Sequence, residues 1–215
     1  MKTALLRWKT KAVAMMRFRP FVLALMFATT VSIGAVAQQA HADNTEKFIE
    51  SLGDRALQVL VADEKDPAAR DTAFRGILAE GFDLPLIGRY ALGRYWRRAT
   101  PEQRSEYVKL FEDFIVVTYA ARLGDYSGET LRVVSSRPDD EDTIVTSEIV
   151  LEGRPSIRVD WRVRNGESEP KIIDVIVEGV SMLLTQRDEF ASVIQRSGGN
   201  VEGLLSRLRE KSSDE

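Results

Sequence analysis

The period of the apolar residues changes once along this chain, near Thr130, and that change limits what it can fold into. Upstream, apolar residues recur every three or four positions, as on one face of a helix. From Thr130 they alternate, as on one face of a strand. Helices followed by a block of strands predict an α+β domain with an antiparallel sheet, not alternating βαβ units. Residues 130–137, 143–151, 156–164 and 171–178 are expected to form four strands joined as a meander. In the third, Ile157, Val159, Trp161 and Val163 point one way while Arg158, Asp160, Arg162 and Arg164 point the other. One face of this sheet is therefore dry and has to meet the helices.

The richest helical stretch is Leu84 to Tyr126, which reads as two helices sharing one apolar wall. Leu86, Ile87, Tyr90, Ala91 and Tyr95 lead to a break at Ala99-Thr100, after which Tyr107, Leu110, Phe111, Phe114, Ile115, Thr118, Tyr119 and Leu123 resume the pattern. Thr100-Pro101-Glu102-Gln103 is a capping box with proline at the first helical position, and Gly124 is expected to end the helix. More aromatic and aliphatic surface lines up here than docking on a sheet requires, so an apolar cavity between helices and sheet is expected. Other helices are predicted from an Asp43 N-cap (Ile49, Leu52, Ala56, Val59, Leu60), from Asp66-Pro67 to Gly81, from an Asp83 cap, from about Thr185, and from Asn200 (Val201, Leu204, Leu205, Leu208). Gly88 and Gly93 fall inside a predicted helix, where glycine costs about 1 kcal/mol relative to alanine, so close packing or a bend is expected there.

Residues 1–42 are different material. Lys2, Arg7, Lys9, Lys11, Arg17 and Arg19 form a basic leader with no acid, followed by an apolar run from Phe21 to Ala37 and small-residue sites at Ala35-Val36-Ala37 and Ala40-His41-Ala42. This is the pattern of an export signal cleaved near Ala42, placing the mature protein in the periplasm. With no cysteine after the apolar run, a lipid-modified N-terminus is excluded. Residues 43–210 are expected to be one α+β domain and 211–215 a frayed tail. The chain carries 30 Lys+Arg and 33 Asp+Glu; without the six basic residues of the leader, 24 face 33, a net charge of −9. Nucleic acid is therefore not an expected partner.

The chain has no cysteine and a single histidine, His41, at the cleavage site. A mature domain with neither residue has no disulfide, no Ser-His-Asp or Cys-His nucleophile and no thiolate or imidazole metal site, so no metal or cofactor is expected. The acidic run from Pro138 to Asp142 lacks the ligand spacing and glycine of a calcium loop and reads as a solvated hairpin turn.

Two separated motifs, LGRYWRRATPEQRSEYVKLFEDFIVVTYAARLGDYSG and DVIVEGVSMLLTQRDEF, resemble the MlaC family of periplasmic phospholipid-binding proteins, also called the toluene-tolerance auxiliary family. The matching positions are Gly93, Tyr95, Trp96, Thr100, Pro101, Gln103, Phe111, Phe114, Tyr119 and Tyr126, then Asp174, Glu178, Gly179, Val180, Ser181, Arg187 and Phe190. The chain departs from many members at Pro170, Ile173 and Thr185-Gln186. The resemblance implies a helix-covered, cone-shaped (NTF2-like) sheet holding acyl chains between its layers. It further implies shuttling of phospholipid between an outer-membrane lipoprotein complex and an inner-membrane ABC transporter; a related branch implies a hopanoid cargo instead. On this reading the lipid-binding residues are Phe74, Leu78, Ile87, Tyr90, Tyr95, Trp96, Phe111, Phe114, Ile115, Tyr119, Val159, Trp161, Val175, Val177 and Met182.

Arg94, Arg97 and Arg98 have two roles open to them, contact with lipid phosphate or service to a helix end and solvent, and the second is expected. Asp174, Glu178 and Arg187 are expected to be an ion-pair set tying the last strand to the next helix. The competing functional class is an isomerase of the same cone-shaped architecture, using Tyr90, Tyr95 or Tyr119 as acid with a buried aspartate as base.

Overall fold

The computed structural model describes residues 31–62, 67–123, 128–166 and 169–213. The basic leader, the start of the apolar run, Asp66, Gly124 and Tyr126 lie outside them. The chain divides into a unit up to His41 and a unit from Ala42 to Glu215, and the second is described below.

Among the described residues, six α-helices, one 3-10 turn and five strands make up the order: α1 (Val31–Ala62), α2 (Pro67–Gly81), α3 (Leu84–Leu92), the turn Gly93–Arg97, α4 (Pro101–Leu123), β1 (Thr130–Asp139), β2 (Asp142–Val150), β3 (Ile157–Arg164), β4 (Lys171–Val177), β5 (Val180–Ser181), α5 (Met182–Arg196) and α6 (Val201–Ser213). The strands pair antiparallel in sequence order, the meander expected from the alternation. There are five, not four: Glu178 (φ 49°) and Gly179 (φ 81°) make a two-residue turn that folds Val180 back onto Val177. Positive φ at both central positions gives the hairpin twist that continues the sheet, and a glutamate there is no sequence signal for it.

Two other elements depart from expectation. Helix α1 runs through Asp43, which is not an N-cap, because the alanine-rich residues before it propagate the helix back to Val31. Helix α6 continues through the expected tail to Ser213, where the Ser212 hydroxyl donates to Leu208 O (3.1 Å) and the Lys211 ammonium lies 5.5 Å from the Phe114 ring centroid.

Several boundaries are set by the residues that predicted them. The Gln103 N–H donates to Thr100 Oγ1 (3.2 Å) and the Thr100 N–H to Gln103 Oε1 (3.1 Å), a reciprocal cap on α4. Asp83 accepts from the Leu86 N–H at 3.0 Å and Asn200 from the Glu202 N–H at 3.0 Å. Gly93 takes φ 56° and ends α3, while a Cβ on Gly88 would stand 2.9 Å from Phe111 Cδ1. Those two glycines are the bend and the close approach.

The aromatic wall of α4 does not form one surface. Tyr107, Phe111 and Phe114 pack with Phe190 of α5 in a helical core, at ring-centroid distances of 5.6 to 6.2 Å, beside Leu204, Leu205 and Leu208 of α6. A second core lies on the dry face of the sheet, where Ile49 and Leu52 of α1 meet Val145, Val163 and Ile172.

Tyr107 is fully buried and its hydroxyl donates to Gly88 O at 2.9 Å; burial pushes its pKa well above the ordinary tyrosine value. Below pH ~10 the folded and unfolded chains both keep this proton; above it only the unfolded chain ionises, so stability falls as pH rises. Tyr107→Phe is expected to cost about 1 kcal/mol at neutral pH, by removing the buried hydrogen bond to the Gly88 carbonyl, and to flatten the alkaline decline. Urea unfolding at neutral pH and above pH ~10 measures both effects.

Candidate functional site

A cavity of about 810 Å³ lies between the helices and the dry face of the sheet. Each wall follows from a helical stripe or a strand face. Helix α1 contributes Ile49, Leu52, Gly53, Ala56 and Leu57; α2 contributes Phe74, Ile77 and Leu78; Phe82 precedes α3, which adds Leu84, Ile87 and Ala91. Phe111, Ile115 and Tyr119, spaced four apart, form one stripe of α4. The sheet supplies Leu131, Ile149, Trp161, Val175 and Val177, and α5 begins with Met182 and Leu183.

Polar lining is sparse: Glu129, Thr130, Asp174 and Gln186, with the Tyr119 hydroxyl. Asp174 is buried and committed to structure, since its carboxylate accepts from the Ser181 hydroxyl (2.6 Å) and the Leu183 N–H (3.1 Å). Ser181 in turn accepts from the Leu184 N–H (3.0 Å), so Asp174 and Ser181 together cap α5. The Trp161 indole N–H donates to Ser147 Oγ (2.8 Å), leaving the ring apolar towards the chamber.

Ten of the fifteen residues expected to bind lipid line this cavity: Phe74, Leu78, Ile87, Phe111, Ile115, Tyr119, Trp161, Val175, Val177 and Met182. Five stand elsewhere. Tyr95 is buried in the helical core and accepts a 3.0 Å hydrogen bond from Arg94, with the Arg94 and Arg98 guanidiniums 5.0 and 5.6 Å from its ring centroid. The Arg94 hydrogen bond, above all, lowers its pKa. Trp96 stacks edge-on against Tyr107 (6.4 Å) and under Arg104 (5.5 Å); Phe114 packs on Phe190. Tyr90 is 40 % exposed and pairs with Arg164. Val159 is buried in the sheet without reaching the cavity. Tyr90, Tyr95, Trp96 and Phe114 belong to the apolar pattern of α3, the turn and α4, which these elements share between two neighbours, and sequence spacing does not say which.

The α1 contribution was the main omission. Ile49, Leu52 and Ala56 already read as one amphipathic face, and that pattern is the signal that marks a wall. The expected Asp174–Arg187 tie is replaced: Asp174 caps α5, Glu178 accepts from the Arg158 N–H (2.5 Å), and Arg187 makes no salt bridge among the described residues, its methylenes covering Gly93. In the acidic turn, Asp139 and Asp142 are held by Arg162 and Arg164 at 2.6 to 3.2 Å.

The fold and site define a class: an α+β shell around an apolar chamber, the arrangement of a protein that holds an apolar ligand. The chain belongs to the MlaC family, whose model, described as MlaC protein, matches residues 50–210. It is 24% identical over 202 residues to the intermembrane phospholipid transport system binding protein MlaC of Haemophilus influenzae, covering 90% of each chain. It is 27% identical over 141 residues to the toluene tolerance protein ttg2D of Pseudomonas putida, 65% of this chain and 66% of the relative. A solved structure of the phospholipid-binding protein from Ralstonia solanacearum, in complex with a phospholipid, matches with a TM-score of 0.69 at 24% identity. It covers 79% of this chain and 97% of the other, which establishes the shared fold.

Proposed function

We propose that this protein is a periplasmic carrier that shields the acyl chains of a phospholipid in the cavity. It delivers the lipid between an outer-membrane lipoprotein complex and an inner-membrane ABC transporter. The observation that carries this reading is an apolar chamber of about 810 Å³ in a member of a family that includes a named phospholipid transport protein. Each methylene exposed to water costs about 0.8 kcal/mol, so two chains of roughly fifteen methylenes would cost on the order of 24 kcal/mol to carry bare. A chamber lined by Leu, Ile, Val, Phe and Met removes that cost without binding so specifically that release is prevented.

Lipid extraction and mass spectrometry of the purified protein tests the reading. Phospholipid is the expected cargo and a hopanoid would revise it; apo protein that forms no complex with added phospholipid would sink it.

The carrier is proposed to be non-enzymatic. Asp174 spends both oxygens on the α5 cap, and Tyr90 and Tyr95 stand outside the cavity, an arrangement that disfavours these residues as an acid–base pair and leaves Tyr119 as the tyrosine to test. Replacing Tyr90, Tyr95 or Tyr119 singly by phenylalanine is expected to leave lipid exchange between vesicles within about twofold, because ring volume is kept. A variant that still bound lipid but lost a measurable turnover would favour the isomerase reading.

Residues 1–42 are proposed to be an export signal removed near Ala42, a reading supported by the basic leader, the Ala-x-Ala sites and the division of the chain at His41. No helix among the described residues is long and apolar enough to cross a membrane. N-terminal sequencing of the exported protein is expected to start near Asp43; an intact leader in membrane fractions would contradict it.

A further inference from the structure

We infer that the lipid enters and leaves through the seam between α1 and the edge strand β1, an inference that rests on the carrier reading. Three features of the molecule converge on this seam.

The first is where the chamber is wet. Of the described residues lining it, only Thr130 is exposed, and beside it stands Glu129. The chamber therefore meets solvent at the start of β1. A lipid whose tails fill the chamber has its polar head there.

The second is what closes the chamber beside that mouth. Gly53 of α1 and Leu131 of β1 both line the cavity and touch each other: a Cβ on Gly53 would stand 3.3 Å from Leu131 Cδ2 and 3.5 Å from Cδ1. The contact is leucine methyl on bare helix backbone. No backbone hydrogen bond joins α1 to β1 among the described residues, and β1 is the outermost strand, bonded only to β2.

The third is how the other walls are held. Helices α3 to α6 share the interlocked aromatic core, and β2, β3 and β4 are joined by antiparallel ladders. The polar ties of α1 to the sheet lie before the seam: the Thr45 hydroxyl donates to Asn165 Oδ1 (3.3 Å) and the Ser136 hydroxyl to Glu46 Oε1 (2.5 Å). Ile49 and Leu52 add apolar anchors. Past them, Gly53 of α1 rests on the Leu131 side chain of β1, an apolar contact, so this is the wall whose opening is expected to break the least.

The seam supplies its own test, because the chain has no cysteine and a Gly53→Cys/Leu131→Cys pair would be the only thiols in it. A Cβ at Gly53 lies 3.7 Å from Leu131 Cβ, the spacing a disulfide requires. The mature double variant is loaded while reduced with a phospholipid carrying a fluorescent acyl chain, then half of it is oxidised. Transfer to vesicles of phosphatidylethanolamine and phosphatidylglycerol is then followed. Oxidised protein is expected to retain its lipid, with transfer about tenfold slower or more, and reductant is expected to restore it. Equal transfer in both states would overturn the portal, as would two thiols that stay free under oxidant. Reduced protein that never takes up lipid would instead overturn the carrier reading. Leu131→Ala, which widens the seam without a cross-link, is expected to speed transfer, and slower transfer in that variant with its fold retained would also count against the portal.

Discussion

Ile115→Asp is expected to empty the cavity. Ile115 sits mid-stripe on α4 between Phe111 and Tyr119, facing the chamber, and no lysine or arginine lines that chamber among the described residues. A carboxylate placed there is either ionised without a partner or protonated at a cost, and both outcomes oppose a methylene chain beside it by several kcal/mol. Lipid affinity is expected to fall about a hundredfold or more, at ~1.4 kcal/mol per tenfold. Native mass spectrometry reads the lost occupancy, while circular dichroism checks that the helices persist. Because Ile115 is half-buried and borders open volume, the substitution is expected to leave the fold intact. If the variant folds and carries lipid like the parent, the tails do not lie along α4. Ile115→Trp separates volume from charge: it fills the same space with apolar atoms, and a partial loss of long-chain lipid is expected from it.

Phe190→Ala is expected to be the most destabilising single truncation in the helical layer. Its ring meets Tyr107, Phe111 and Phe114 at 5.6 to 6.2 Å and is 4 % exposed, so removal leaves three aromatic faces without a partner. Truncations of this kind cost about 3–5 kcal/mol, a large part of a domain's total stability. Chemical denaturation measures the loss directly. Phe190 does not line the chamber, so any loss of lipid should follow the loss of folded protein and not precede it. A variant that stayed fully folded at parental denaturant midpoint would show that the chamber, not this cluster, holds the helices together.

These two variants separate what looked, along the chain, like a single apolar surface. Tyr107, Phe111, Phe114, Ile115 and Tyr119 belong to one helix and one periodic pattern, yet α4 packs on α5 and α6 with one side and faces the chamber with another. The aromatic surplus that suggested a cavity goes mainly into protein-on-protein packing, and the chamber itself is lined more by aliphatic residues from α1, α2, α3 and the sheet. Spacing reveals that a residue is turned inwards; it carries no information about whether protein or empty volume lies there.

What the chain determined by itself is local. The change of period at Thr130 sets helices before strands, the alternation in Ile157–Arg164 sets a wet and a dry sheet face, and Thr100, Asp83 and Asn200 set helix starts through contacts spanning two or three residues. Each depends on neighbours a turn or a strand away, so composition and spacing suffice. Tertiary structure alone decided the rest. Asp174 became the cap of α5 because the two-residue turn at Glu178-Gly179 brings Ser181 and Leu183 back over β4. Tyr95 was withdrawn from the chamber by the arginines around it, and Gly53 came to lie against Leu131, seventy-eight residues away, at the seam. Those outcomes depend on where whole helices settle against the sheet, a balance of packing summed over many residues that no single stretch of sequence contains.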